Sequence, residues 1–149
     1  GHGGAIVGVV APVDFGFPNM GHTGAARAGV INLTQTAALE WVQHGVRVNA
    51  VAPGSIIGSG LGTYSAEFQE RLKTRRTHIP YYRLGTEAEV SACICFLLSP
   101  ASTYVTGLVL QVDGGLRLAK HNWTVSEHQA IPPYDPFGQS ARPEFLKGQ

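Results

Sequence analysis

Gly45-Val46-Arg47-Val48-Asn49-Ala50-Val51-Ala52-Pro53-Gly54 is the stretch on which the fold turns. Val46 to Ala52 is largely apolar and rich in small and β-branched residues, as in a strand covered on both faces, and Pro53-Gly54 closes it. Upstream, Thr23 to Gln43 carries Ala25, Gly29, Leu33, Ala37 and Trp41 at every fourth position, which reads as a helix with one narrow small-residue face that ends at Gly45. Before it, Ala5-Ile6-Val7-Gly8-Val9-Val10 is another continuous apolar run. Strand, helix and strand in that order form a parallel crossover unit. Its right-handed connection puts the loop from Ala11 to His22 beside Pro53-Gly54 at the carboxyl edge of the sheet, where open α/β folds bind ligands.

Downstream, Ser55 to Thr63 is rich in Gly and Ser and is expected to be mobile, and Tyr64 to Thr77 has the spacing of a short exposed helix, so the pair reads as a lid. Thr86-Glu87-Ala88-Glu89 is a capping box, with Thr86 as cap and Glu89 reaching back, ahead of a helix that Ser99-Pro100 stops after Leu98. Leu108-Val109-Leu110-Gln111-Val112 is the third strand, ended by Asp113-Gly114-Gly115. The class is therefore α/β with a parallel sheet. From His121 on, Pro132, Pro133, Pro136, Gly138 and Pro143 break any periodicity, which predicts an irregular tail, disordered or laid over a neighbour. Residues 1–118 are read as one structural unit and 119–149 as the tail.

Composition narrows the function classes. The 149 residues are 44% hydrophobic and 14% charged, enough apolar matter for a packed core. A net charge of +1, with Lys73, Arg75 and Arg76 as the one short basic cluster, reads as a solvated helix face and argues against a nucleic-acid partner. No apolar run approaches the ~20 residues of a spanning helix, so no membrane partner is expected, and a cytoplasmic location fits best. Cys93 and Cys95 match no zinc or redox spacing and are expected as buried thiols, and no His-x-x-x-His pair occurs, so no metal is expected. Asn122-Trp123-Thr124 fits the glycosylation pattern, but nothing else suggests secretion.

The segments Gly24-Ala25-Ala26-Arg27-Ala28-Gly29-Val30, Asn32-Leu33-Thr34, Glu40-Trp41 and Gly45 to Gly54 together resemble the second half of the short-chain dehydrogenase/reductase family. Arg83 to Val90, Phe96-Leu97-Leu98-Ser99-Pro100, and Thr106-Gly107 leading to Val112-Asp113-Gly114-Gly115 extend the likeness. It implies the C-terminal half of a Rossmann-type, doubly wound parallel sheet, about three strands with crossover helices, and an NADP or NAD cofactor. Within the family, Gly21 to Gly29 looks most like peroxisomal trans-2-enoyl-CoA reductases and the bacterial citronellol or citronellal dehydrogenases. The resemblance implies a small-molecule substrate, an acyl thioester or a terpenoid, and pairing through the helix of Ala25, Gly29, Leu33 and Ala37 into a homodimer or homotetramer. That helix face has a second use open to it, packing on its own sheet. Lys147-Gly148-Gln149 is not a peroxisomal Ser-Lys-Leu address.

Family members place a Tyr four residues before a Lys, and those positions are Thr23 and Arg27 here. Both fall on one helix face, and Arg27 keeps a permanent charge with donors for the nicotinamide ribose. Thr23 is a weak acid beside a phenol of pKa about 10, and the family's Ser falls on Val10 or Ala11, so ketone chemistry of the usual kind is in doubt. Reduction of an enoyl thioester asks only for a donor at the developing enolate oxygen, for which Thr23 and His22 are candidates. His22 either protonates the α-carbon or only caps the helix. By resemblance, Pro53, Gly54 and Ile56 meet the nicotinamide carboxamide and Ser59 lies near the pyrophosphate. Tyr64, Phe68, Tyr81 and Tyr82 either line an acyl or terpenoid channel or are ordinary packing.

The Gly-rich fingerprint that cradles the pyrophosphate is missing, since Gly58-Ser59-Gly60-Leu61-Gly62 neither follows the expected strand nor opens the expected helix. Gly1-His2-Gly3-Gly4 resembles the start of the family's middle segment. The chain is therefore expected to be truncated, to bind NADPH weakly or not at all alone, and to be inactive by itself. Loss of the usual Ser and Tyr leaves an alternative open, a non-catalytic relative that keeps the fold as a binding or assembly subunit.

Overall fold

The computed structural model describes residues 3–119, 124–138 and 143–146. Gly1 and His2, Asn122 and Trp123 of the glycosylation pattern, and Lys147-Gly148-Gln149 lie outside them. Strand β1 (Gly4–Val9), helix α1 (Gly21–Trp41) and strand β2 (Val46–Pro53) follow in turn. A two-residue strand β3 (Ile56–Ile57), helix α2 (Ala66–Arg75), a second two-residue strand β4 (Gly85–Thr86), helix α3 (Glu87–Leu98) and strand β5 (Val109–Val112) complete the order. β1 and β2 run parallel, in register from Gly4 opposite Val46 to Val9 opposite Val51, and β2 lies between β1 and β5. The architecture is α/β with a parallel sheet, as the apolar runs require.

The chain divides into two compact units. The first takes the described residues of 1–53 and 92–111. Alternation along β2 gives its sheet two different faces. Val46 and Val48 pack with Ala37 and Ala38 of α1, while Ala50 and Ala52 pack with Val10, Ile31 and Val109. On the opposite side of the pleat Arg47 and Asn49 reach the end of α3 and the segment beyond it. Arg47 donates to the carbonyls of Leu97 (2.8 Å) and Ser99 (3.1 Å) and to Ser102 Oγ (2.8 Å). The amide of Asn49 donates to the Val105 carbonyl and accepts from the Leu108 N–H, both at 3.0 Å.

The buried residues of α1 are Thr34, Ala37 and Ala38, with Ile31 beside them. Ala25, Gly29, Leu33 and Trp41 are exposed while Ala37 packs on Val46 and Val48, so the stripe read at every fourth position meets the sheet at Ala37 but not along its length. A step of four residues advances about 40° beyond a full turn, so such a stripe winds around the helix. Cys95 is exposed and Cys93 half-buried, against the expectation of two buried thiols. Alternate positions on a helix point in nearly opposite directions and cannot both face a core.

The second unit takes 54–91 and the described residues of 112–149. Its core is Ile57, Ile79, Leu84 and Leu146, with Leu61, Leu116 and Phe145 against it. Within Ser55 to Thr63, read as a mobile part of a lid, Ile56-Ile57 pairs in parallel with Gly85-Thr86, and Ser59–Thr63 forms a 3-10 turn. Helix α2 is capped by Ser65, whose Oγ accepts from the Phe68 N–H. The Thr86–Glu89 capping box forms as read. The Thr86 N–H donates to Glu89 Oε2 at 2.8 Å, and the Glu89 N–H donates to Thr86 Oγ1 at 3.2 Å. The described tail has no helix or strand beyond a 3-10 turn at Glu144–Leu146, and Leu146 enters the core.

Candidate active site

Thr23 and Arg27 occupy the first two turns of α1, half-buried and on one face. Their side chains have no hydrogen-bond or ion-pair partner among the described residues. A guanidinium that no carboxylate among the described residues answers keeps its full donor set for a ligand. His22 is exposed, α1 has no side-chain cap, and His22 makes no side-chain hydrogen bond among the described residues. Val10 is buried against Ala50 and Ala52 and Ala11 is half-buried, so neither offers a polar group at the position of the family's Ser. Pro53 ends β2 in this same unit.

Gly54, Ile56 and Ser59 belong to the second unit. The Gly54 N–H donates to the Val112 carbonyl at 3.0 Å, and a Cβ on Gly54 would stand 2.9 Å from Asp113 Cα. This close backbone approach is open to glycine alone without a shift of one strand. Ile56 is half-buried in β3, and Ser59 is exposed at the start of its 3-10 turn. Tyr64 and Phe68 stack with ring centroids 4.7 Å apart, and Arg83 lies 5.8 Å from the exposed Tyr81 ring. The Tyr82 hydroxyl donates to the Val125 carbonyl at 3.0 Å, and its ring lies 5.7 Å from that of His128.

A polar hub that the motifs do not reveal sits behind β4. Arg83 grips Glu89 through two bonds, of 2.9 and 2.6 Å, and the side chains of both are about one-fifth exposed. Burial raises the Glu89 pKa, but hydrogen bonds from Arg83 and from the N–H groups of Thr86 and Tyr134, with the Arg83 charge, outweigh it and hold the carboxyl below its ordinary 4.5. A depressed carboxyl stabilises the fold above its unfolded pKa, and that contribution is lost as pH falls through the folded value. Glu89→Gln is therefore expected to destabilise by about 1–2 kcal/mol near neutral pH, with the gap to the parent closing as denaturation is repeated at pH values progressively below 4.5. A gap independent of pH would assign the loss to packing.

No group of His, Cys, Asp and Glu among the described residues is placed to hold a metal, and no helix there is long and apolar enough to cross a membrane. The family model described as enoyl-(acyl carrier protein) reductase matches residues 1–117. The chain belongs to the short-chain dehydrogenase/reductase family. It is similar to the peroxisomal 2,4-dienoyl-CoA reductase of Pongo abelii, 40% identical over 123 residues, which are 81% of this chain and 42% of that protein. The solved citronellol catabolism dehydrogenase of Pseudomonas aeruginosa is 47% identical, with a TM-score of 0.63 over 76% of this chain and 42% of its own. A protein assigned as a 2-deoxy-d-gluconate 3-dehydrogenase from Agrobacterium tumefaciens, solved with bound NADP, is 34% identical, with a TM-score of 0.72 over 78% of this chain and 48% of its own. The chain thus spans under half the length of these three short-chain dehydrogenase/reductase relatives.

Proposed function

We propose that this chain serves an NADP- or NAD-dependent oxidoreductase that reduces the double bond of an enoyl thioester. The observation that carries the reading is Arg27, a half-buried cation without a partner among the described residues, one helical turn from the Thr23 hydroxyl, equally unpartnered among them. Residues 1–118 act as the half-domain and 119–149 as its appended tail. Arg27 holds the ribose hydroxyls of the cofactor, the Pro53-Gly54-Ile56 backbone meets its carboxamide, and Ser59 lies toward its pyrophosphate. The close approach at Gly54, which leaves backbone rather than side chain at that point, fits this role.

A bound nicotinamide supplies the hydride. Thr23 donates a hydrogen bond to the thioester oxygen as negative charge grows there, and the fixed charge of Arg27 favours that charge. His22, exposed beside Thr23, delivers the proton to the α-carbon. Names of relatives support the substrate class, since a dienoyl-CoA reductase stands among them, while the citronellol dehydrogenase keeps a terpenoid alcohol or aldehyde as the competing substrate. A cytoplasmic homodimer or homotetramer is the form in which we expect it to work.

Turnover of a crotonyl thioester with NADPH by the longest protein carrying this chain is the test. Arg27→Ala is expected to lower kcat/KM by roughly 10- to 100-fold, the loss of charge-assisted bonds to the ligand, with Arg27→Lys retaining more. Unchanged activity removes Arg27 from the site. The alternative of a non-catalytic subunit is favoured by Val10, Ala11 and Thr23, which replace the family's hydroxyl and phenol. A folded protein that turns over neither thioester nor citronellol would establish it.

A further inference from the structure

We propose that residues 124–134 form a strap that sets the position of the Ser55–Ile57 loop, with Arg83 as the positioning residue through which the strap acts. The proposal rests on the reading of that loop as a cofactor contact only for its functional consequence.

The strap has no helix or strand, and nearly all its residues are exposed. It is held instead by side chains from one short stretch of chain. Tyr82 donates to the Val125 carbonyl, Arg76 pairs with Glu127 at 2.9 Å, and His128 Nε2 meets the Pro80 carbonyl at 2.9 Å. Arg83 donates through Nε to the Ile131 carbonyl at 2.7 Å and through Nη2 to the Pro132 carbonyl at 3.3 Å. Thr86 Oγ1 donates to the Tyr134 carbonyl at 2.8 Å. The Ala130 N–H donates to His128 Nδ1 at 3.2 Å, so His128 must carry its proton on Nε2 to complete both bonds.

Tyr82 supplies an independent sign of tension. Its φ of +53° lies in the left-handed region, uncommon for a bulky side chain, and such a conformation persists only where the surroundings over-determine it. Its hydroxyl bond to Val125 and its ring, 5.7 Å from that of His128, are the surroundings that do so.

From the strap the connection runs to the loop without a gap. Arg83 binds the strap carbonyls and Glu89 together, Glu89 accepts from the N–H groups of Tyr134 in the strap and Thr86 in β4, and β4 pairs with β3. The Gly85 N–H then donates to the Ser55 carbonyl at 2.9 Å. On its other side the loop is fixed at Gly54 by the Val112 carbonyl. Loosening the strap therefore frees the loop on one side only.

Amide hydrogen exchange on the chain, read peptide by peptide, tests this. Tyr82→Phe removes one hydroxyl and is expected to fold. It should raise exchange at the Ala130 and Tyr134 amides, the strap amides seen to be hydrogen-bonded, and, by about threefold to tenfold, at the Gly85 amide, with β1 and β2 unchanged. Arg83→Ala should raise the Gly85 amide further, and Arg83→Lys should restore part of the protection. In the longest protein carrying the chain, Arg83→Lys should raise KM for the nicotinamide cofactor with kcat little changed. Faster exchange confined to 124–134 overturns the proposal, since the strap would then be a passive tail. If Gly85 responds and the cofactor KM does not, the strap stands and the reading of the loop as a cofactor contact falls.

Discussion

Replacing Asn49 by Asp should leave the fold close to its parent's stability below about pH 4 and cost about 3–5 kcal/mol near pH 7. Asn49 is fully buried, its amide nitrogen donating to the Val105 carbonyl and its oxygen accepting from the Leu108 N–H. A protonated Asp reproduces that pattern, the O–H toward Val105 and the C=O toward Leu108. An ionised one presents an acceptor to the Val105 carbonyl and buries a charge that Arg47, whose Nη1 lies 3.4 Å from that same carbonyl, answers only in part, because its closer bonds go to Leu97, Ser99 and Ser102. The folded state therefore raises the carboxyl pKa above its unfolded value near ~3.9. A raised pKa means that stability is intact below the unfolded value and is lost as pH climbs toward the folded one, at about 1.4 kcal/mol per pH unit. The measurement is the difference in denaturation free energy between parent and variant at each pH, which cancels the acid loss expected from Glu89. A difference that does not shrink toward low pH would mean that shape, not charge, is what the site rejects.

Asn49 also marks where the sequence was legible and where it was not. The run from Val46 to Ala52 was recognisable as a buried strand from its apolar residues, and the crossover unit followed from it. What the run did not disclose is why a buried strand tolerates Arg47 and Asn49. Their i, i+2 spacing put them on one face, but their partners are mostly carbonyls and N–H groups fifty or more positions away, and any residue can supply those. The same limit hid the Arg83–Glu89 hub and the strap, whose acceptors are mostly main-chain oxygens. Local rules fared better, since the Thr86–Glu89 capping box is complete within its own turn. Strands β3 and β4 are two residues each, too short for alternation to be seen. On α1 the fourth-position stripe drew attention to Leu33, which is exposed, and away from Thr34, which is buried.

The candidate site shows the same division. Thr23 and Arg27 were placed by a spacing that a helix converts into a shared face, and the structure puts them there, half-buried. Gly54 and Ile56 were named by likeness. The reason for glycine at Gly54, the backbone of Asp113, appears only once the strands are packed.

Arg47→Ala is expected to cost about 3–4 kcal/mol, and by the same amount at every pH, because a guanidinium stays charged throughout. Helix α3 ends at Leu98, and the carbonyls of its last turn have no partner within the helix. Arg47 answers Leu97 and, just beyond, Ser99, and brings positive charge to the helix end that favours it. Ser102, fully buried, has its hydroxyl within reach of those same two carbonyls, at 2.9 and 3.0 Å, but a single hydroxyl proton serves one of them at a time. Removing Arg47 therefore leaves the two carbonyls to that hydroxyl and to the Ser102 N–H, which reaches Ser99 only at 3.3 Å, and leaves the Ser102 oxygen without its donor. Arg47→Lys keeps the charge but cannot span Leu97, Ser99 and Ser102 with a planar fork, so it should recover less than half of the loss. If Lys restores the parent midpoint in urea, the contribution of Arg47 is charge at a helix end. If Lys behaves nearly as Ala does, the geometry of the fork is what joins β2 to α3.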